Sequence, residues 1–142
     1  MNKTVAIIGA GRVGSSVGFL LREAGYPVAA IASRTAASAD RAAAFIGSGE
    51  PTTDAVKAAS RADIVIIATP DRVIKEVCER IAASGSLKAG SIVAHLSGAH
   101  SLDLLDAAKR EFHEETGFRA LGPFLPLSPV KLKSGKIVYA WE

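Results

Sequence analysis

Gly9-Ala10-Gly11-Arg12-Val13-Gly14 has the G-x-G-x-x-G spacing, a pattern suited to holding an anion against bare backbone. Gly9 permits a tight turn, Gly11 has no Cβ to keep a pyrophosphate away, and Gly14 lets a following helix close on the preceding strand. Unpaired N–H groups and the dipole at that helix start favour negative charge at the same point. About twenty residues further on, an NAD-type site carries an Asp or Glu for the ribose hydroxyls. Here the sequence reads Ser33-Arg34-Thr35, and the nearest acid is Asp40. A carboxylate there would repel a 2′-phosphate, whereas a guanidinium flanked by two hydroxyls binds one through charge-assisted hydrogen bonds. The pattern therefore selects NADP over NAD. Thr35 also suits the N-cap of the next helix.

Two further polar turns follow apolar runs. Thr69-Pro70-Asp71 closes one run, and His95-Leu96-Ser97-Gly98-Ala99-His100 closes another. Hydride transfer needs an oriented nicotinamide and a proton donor or acceptor. Ser97 and His95 are the candidates, with His100 a weaker one. His95 alternates with Val93 and Ser97, so it also reads as a hydrogen-bonded core residue. His113 lies among Glu111, Glu114 and Glu115 on a polar face with no convergent ligand spacing, and no metal motif is present. Cys78, the only cysteine, falls beside Val77 and Ile81 and reads as a buried thiol.

The elements that must position these residues alternate. Thr4–Ile8 reads as a strand. Val17, Leu20, Leu21 and Ala24 recur at helical spacing, with Gly25 as the helix stop. Val28–Ala32 suits a strand buried on both faces, which completes a βαβ unit of the length the glycine pattern requires. A helix over 36–46 ends at Gly47, a very short edge strand or none is expected near 50–52, and Asp54–Ser60 is helical. Asp63–Ala68 is a buried strand. Asp71 is expected to cap a helix over Arg72–Ala83 whose core face is Val73, Val77 and Ile81. Ser91–Leu96 is a strand, Leu102–Glu115 a helix with Leu105, Ala108 and Phe112 inward, and Phe118–Leu121 a last strand. The fold class is α/β, a doubly wound and mostly parallel sheet between two helical layers. Residues 1–121 form the dinucleotide domain. Residues 122–142 form a tail with prolines at 123, 126 and 129, extended in the polyproline manner, and Lys136–Trp141 is a candidate extra edge strand.

Composition narrows the function classes. The 142 residues fit one domain, and 22% charged residues with 49% apolar ones match a globular composition. The net charge of +3 is spread along the chain. That suits a phosphate-bearing ligand and does not form the basic cluster with interleaved aromatics of a nucleic-acid binder. A single cysteine permits no internal disulfide, no apolar run reaches membrane-spanning length, and the start lacks a cleavage-type sequence. The expected location is cytoplasmic, with neither nucleic acid nor membrane as a partner.

Taken in order, Gly9–Gly14, Ser33-Arg34-Thr35, Ala62-Asp63-Ile64, Thr69-Pro70-Asp71 and His95-Leu96-Ser97-Gly98-Ala99 resemble a known family over about residues 3–121. It is the Rossmann-like NADP-dependent oxidoreductases of the phosphogluconate-dehydrogenase superfamily, and within it an uncharacterised branch. Pyrroline-5-carboxylate reductases and deazaflavin-dependent NADP reductases are similar to it. The resemblance implies a three-layer Rossmann fold. It implies that Gly9, Gly11, Arg12, Val13 and Gly14 line the pyrophosphate and that Ser33, Arg34 and Thr35 hold the 2′-phosphate. Thr69, Pro70 and Asp71 then border the cofactor near its ribose and nicotinamide, and Ser97 and Gly98 lie near the nicotinamide and an unknown small substrate. The resemblance implies that family members carry a helical second domain that closes the active site and supplies a dimer interface, and no such domain is expected within these 142 residues. Where family members commonly have His-Pro-Leu, this sequence reads Leu121-Gly122-Pro123-Phe124-Leu125. A homodimer or a separate helical partner is therefore expected to complete an oxidoreductase. The alternative is a non-catalytic dinucleotide-binding sensor or regulatory module.

Overall fold

The computed structural model describes residues 2–97, together with the backbone of residues 130–131 and 137–138. Nine elements alternate through the first part: β1 (Val5–Ile8), α1 (Arg12–Glu23), β2 (Val28–Ala32), α2 (Ala36–Ile46), β3 (Glu50–Thr52), α3 (Ala55–Ala59), β4 (Ile64–Ile67), α4 (Asp71–Ala83) and β5 (Ile92–His95). The five strands form one sheet in the order β3-β2-β1-β4-β5, with every pairing parallel. The chain winds outward from β1 to β3, then crosses back through α3 to place β4 on the other side of β1. Parallel neighbours need such crossovers, and helices therefore cover both faces.

Burial follows from that winding. Val5, Ile7, Val28 and Ile31 pack with Ala42 and Ile46 of α2 and with Phe19 and Leu21 of α1. On the opposite face Ile8, Ala30, Ala32, Val65 and Ile67 pack with α3 and with Ile74, Val77, Cys78 and Ile81 of α4. The period of two along β1 sends Ile7 to one layer and Ile8 to the other. Each fully buried Ile or Val contributes about 1.5–3 kcal/mol relative to an exposed one. The doubly wound α/β architecture expected from the sequence is the one observed.

The helix faces differ in detail from expectation. In α1 the buried residues are Gly14 and Gly18, while Leu20 is 65% exposed. The helix lies so close to the sheet that its seam is made of glycines. A Cβ on Gly18 would stand 2.6 Å from Ile46 Cδ1 and 3.2 Å from Ile7 Cγ1. In α4 the buried set is Ile74, Val77, Cys78, Ile81 and Ala82, a face turned by about one residue from Val73. Both stripes contain enough apolar residues to support two phases of a 3.6 period, and tertiary contact selects one.

The expected helix boundaries agree well. Gly25 N–H donates to the Arg22 carbonyl at 2.9 Å and Tyr26 N–H to that of Leu21 at 3.0 Å, closing α1. Gly47 ends α2 in the left-handed region, with φ of 81°. Asp54 caps α3 by accepting from Val56 N–H at 2.9 Å and Lys57 N–H at 3.2 Å. The edge strand β3 exists, three residues long and containing Pro51. Glu50, exposed at that edge, pairs with Lys57 at 3.1 Å and with Arg61. In the tail Val130–Lys131 (β6) and Ile137–Val138 (β7) form a two-stranded antiparallel ladder apart from the main sheet. The expected helix 102–115, the strand 118–121 and the proline run 122–129 lie outside the described residues.

At the amino end of the sheet, Asp63 ties β4 to β1. Its carboxylate accepts from the Thr4 backbone N–H and the Thr4 hydroxyl, each at 2.8 Å, and pairs with Lys88 at 3.3 Å. These bonds hold its carboxyl below the usual range, the Thr4 N–H foremost. A depressed folded value makes the stabilisation full above the unfolded pKa and loses it as pH falls through the folded value. Asp63→Asn is thus expected to lower the urea midpoint at pH 7, with the gap from the parent protein narrowing as pH drops below about 4. Burial, then the Glu79 charge, pushes the Cys78 thiol up to about 11. At neutral pH only about one thiol in ten thousand is ionised, so we expect an aromatic disulfide reagent to label Cys78 in urea and not in native protein.

Candidate functional site

Four backbone hydrogen bonds run across the carboxyl ends of the strands. Ser33 N–H donates to Thr52 C=O at 3.1 Å, Gly9 N–H to Ala32 C=O at 2.9 Å, Ala68 N–H to Ile8 C=O at 2.7 Å and Leu96 N–H to Ile67 C=O at 3.0 Å. They align on one rim the turns that leave β1, β2, β4 and β5. Strand order reverses between β1 and β4, and the carboxyl side of such a point is where open α/β sheets form a ligand crevice.

The glycine turn stands at that point, and its three glycines are explained differently. Gly9 has φ of +100°, and a Cβ there would meet the Ala68 carbonyl carbon and the Thr69 nitrogen at 2.7 Å. Gly14 faces the Gly9 carbonyl so closely that a Cβ would overlap its oxygen, and Ala68 Cβ would lie at 3.2 Å. Both are needed by the fold. Gly11 is not. Its φ of −77° and ψ of −167° are open to any residue, and a Cβ there would meet nothing within 4 Å. Gly11 is also the N-cap of α1, with no side-chain cap and no acid in the first turn. The N–H groups of Arg12, Val13 and Gly14 thus have no helical acceptor. Arg12 and Val13 are exposed beside them.

Along the rim at β2, Ser33 is half-buried and Arg34 and Thr35 are exposed. Thr35 caps α2, with its Oγ1 accepting from Ser38 N–H at 3.2 Å. Among the described residues no ion pair or hydrogen bond engages the Arg34 guanidinium. At β4 the Thr69 hydroxyl is shielded from solvent and has no hydrogen-bond partner among the described residues. A buried hydroxyl left so is costly unless something else satisfies it. Sequence reading placed Thr69 here by its turn, and nothing in the sequence signalled that its hydroxyl is orphaned.

Asp71 was expected to cap α4 and does not. The helix begins at Asp71, its N-cap is Pro70, and no side chain caps it. Pro70, with φ of −53° and ψ of 144°, turns the chain one residue early. The Asp71 carboxylate therefore sits inside the first turn, favoured by the dipole, and the rim carries a second uncapped helix start.

At β5, His95 and Ser97 are both buried, each 6% exposed. Ser97 N–H donates to His95 Nδ1 at 3.2 Å. A ring nitrogen that accepts this bond carries no proton, which leaves Nε2 as the nitrogen able to bear one. Gly98 and His100 lie outside the described residues. Among those described, no three His, Cys, Asp or Glu side chains are grouped to hold a metal ion, and no helix is long and apolar enough to cross a membrane.

Comparison with known proteins agrees with this fold. A family model described as a Rossmann-like domain matches residues 2–111. No curated protein sequence matches. Among solved structures, Synechocystis arogenate dehydrogenase is 21% identical with a TM-score of 0.66, over 81% of this chain and 38% of that one. Prephenate dehydrogenase from A. aeolicus, in complex with hydroxyphenyl propionate and NAD+, is 22% identical with a TM-score of 0.62, over 79% and 38%. Streptomyces aurantiacus imine reductase is 27% identical with a TM-score of 0.58, over 78% and 37%. The chain thus spans well under half the length of these structures, with which it shares its fold.

The glycines offer a direct check of this anatomy. Gly14→Ala is expected to cost about 3 kcal/mol or more through overpacking. Gly11→Ala should cost only roughly 0.5–1 kcal/mol, the difference in capping. Urea denaturation of the two variants gives both values.

Proposed function

We propose, for a chain that belongs to the Rossmann-like domain family, that it binds NADP along the carboxyl-end rim as the cofactor domain of an oxidoreductase. The observation that carries this reading is the space at Gly11. A residue whose backbone could accept any side chain is glycine, over an uncapped helix start, in a turn where both neighbouring glycines have internal reasons. A pyrophosphate fits that cradle, since its oxygens would take the free N–H groups of Arg12, Val13 and Gly14. The orphaned Thr69 hydroxyl supports the same reading, because a ligand polar atom at the switch point would satisfy it.

In this reading Gly9 and Gly14 shape the turn, and Ser33, Arg34 and Thr35 hold the 2′-phosphate. Thr69, Pro70 and Asp71 border the ribose and nicotinamide, and Ser97 and Gly98 lie by the ring and the substrate. The bound cofactor supplies a hydride or accepts one. His95 takes the proton-handling or positioning role. The buried His95 contact with the Ser97 backbone turns Nδ1 to the chain and leaves Nε2 for exchange with a ligand. The substrate is a small molecule, and a helical partner domain or a second copy of the chain closes the site, as in the phosphogluconate-dehydrogenase superfamily that the motifs resemble.

Calorimetric titration with NADP and NAD tests the reading. NADP is expected to bind more tightly than NAD, and Arg34→Ala to cost about 1.5–3 kcal/mol of NADP affinity, as for a hydrogen bond to a charged group, with little change for NAD. Failure of the protein to bind either nucleotide would overturn the proposal.

A further inference from the structure

The first turns of α2 hold a second cation that the glycine and Ser-Arg-Thr motifs do not reach. Thr35 Oγ1 donates to Ser38 Oγ at 3.0 Å, and Arg41 Nη2 donates to the same oxygen at 3.1 Å. Residues 35, 38 and 41 are three apart, so each side chain is the surface neighbour of the next. Arg41 is thereby drawn back toward the helix start at Thr35, the residue that follows Arg34. The donor count is informative. Ser38 Oγ accepts twice, which uses both lone pairs and leaves its own proton to donate. Arg41 commits one of five N–H donors to that bond and keeps the rest.

Charge points the same way. The ion pairs among the described residues engage Arg22, Lys57, Arg61, Lys75 and Lys88. Neither Arg34 nor Arg41 is among them, and the first turn of α2 contains no acid. Arg41 reaches the start of α2 through Ser38 and Thr35, Arg34 adjoins Thr35 in sequence, and no carboxylate among the described residues forms an ion pair with either guanidinium. A phosphate monoester carries nearly two negative charges at neutral pH, so a single arginine neutralises only half of it.

We propose that Arg41, held by the Thr35–Ser38 pair, is the second cation of the 2′-phosphate pocket and a determinant of NADP specificity. The inference rests on the NADP reading above and adds to it a residue outside the motif. Arg34 meets the phosphate from the end of β2, Arg41 meets it from α2, and the Ser38 hydroxyl donates between them.

The test titrates parent protein, Arg41→Ala and Arg41→Lys with NADP, NAD and adenosine 2′,5′-bisphosphate, and records each melting temperature. Arg41→Ala is expected to weaken NADP and the bisphosphate about tenfold, to leave NAD within about twofold, and to keep its melting temperature. Arg41→Lys, which retains the charge without the fork, should recover part of the loss. Parent-like NADP binding by Arg41→Ala would overturn the inference and leave the NADP reading intact. Equal losses for NADP and NAD would also overturn it, by showing that Arg41 only supports the fold. If the parent protein bound neither nucleotide, or both equally, the NADP reading itself would fall and this inference with it.

Discussion

The structure depends on how closely α1 approaches the end of β1. At Gly9, Gly14 and Ala68 three pieces of backbone meet with no room for an added methyl group, and Gly18 continues the seam one turn on. That proximity places the uncapped start of α1 directly over the reversal in strand order. If the helix stood off by the width of one side chain, its free N–H groups would leave the crevice. Interiors are packed like crystals, so such a shift cannot be absorbed by loosening elsewhere. The anion-binding geometry and the packing of the first βαβ unit are thus one constraint.

The chain distributes its polar chemistry by the ends of the sheet. At the amino end Asp63, Thr4 and Lys88 satisfy one another and stitch β1 to β4. At the carboxyl end donors remain without partners among the described residues: the α1 N–H groups, Arg34 and Thr69. A fold that satisfies its polar groups on one side and leaves them open on the other separates stability from recognition. The apolar strand β1 between the two ends, buried on both faces, keeps them a fixed distance apart.

Much of this was legible in residue order. The glycine spacing after an apolar run, the return to Val28–Ala32, the Thr35 cap and the Gly47 stop follow from local rules of backbone conformation and capping, and tertiary contact did not alter them. The face of α1 was not legible, because Leu20 and Leu21 fit two phases equally and the true seam is made of glycines, which carry no hydrophobic signal. The Asp71 cap failed by one residue, since Pro70 can end a strand and open a helix in a single step. Arg41 escaped notice for a different reason. Its relation to Thr35 exists only once the helix is formed and Ser38 stands between them.

The edge strand β3 has a consequence for how the sheet meets other chains. It is three residues long, its central residue is a proline without an N–H to offer, and its Glu50 is engaged by Lys57 and Arg61. Such an edge is a poor template for another strand. The sheet is therefore polar in its capacity for growth. That flank resists templated aggregation, and among the described residues β5 is the edge left for a segment that widens the sheet.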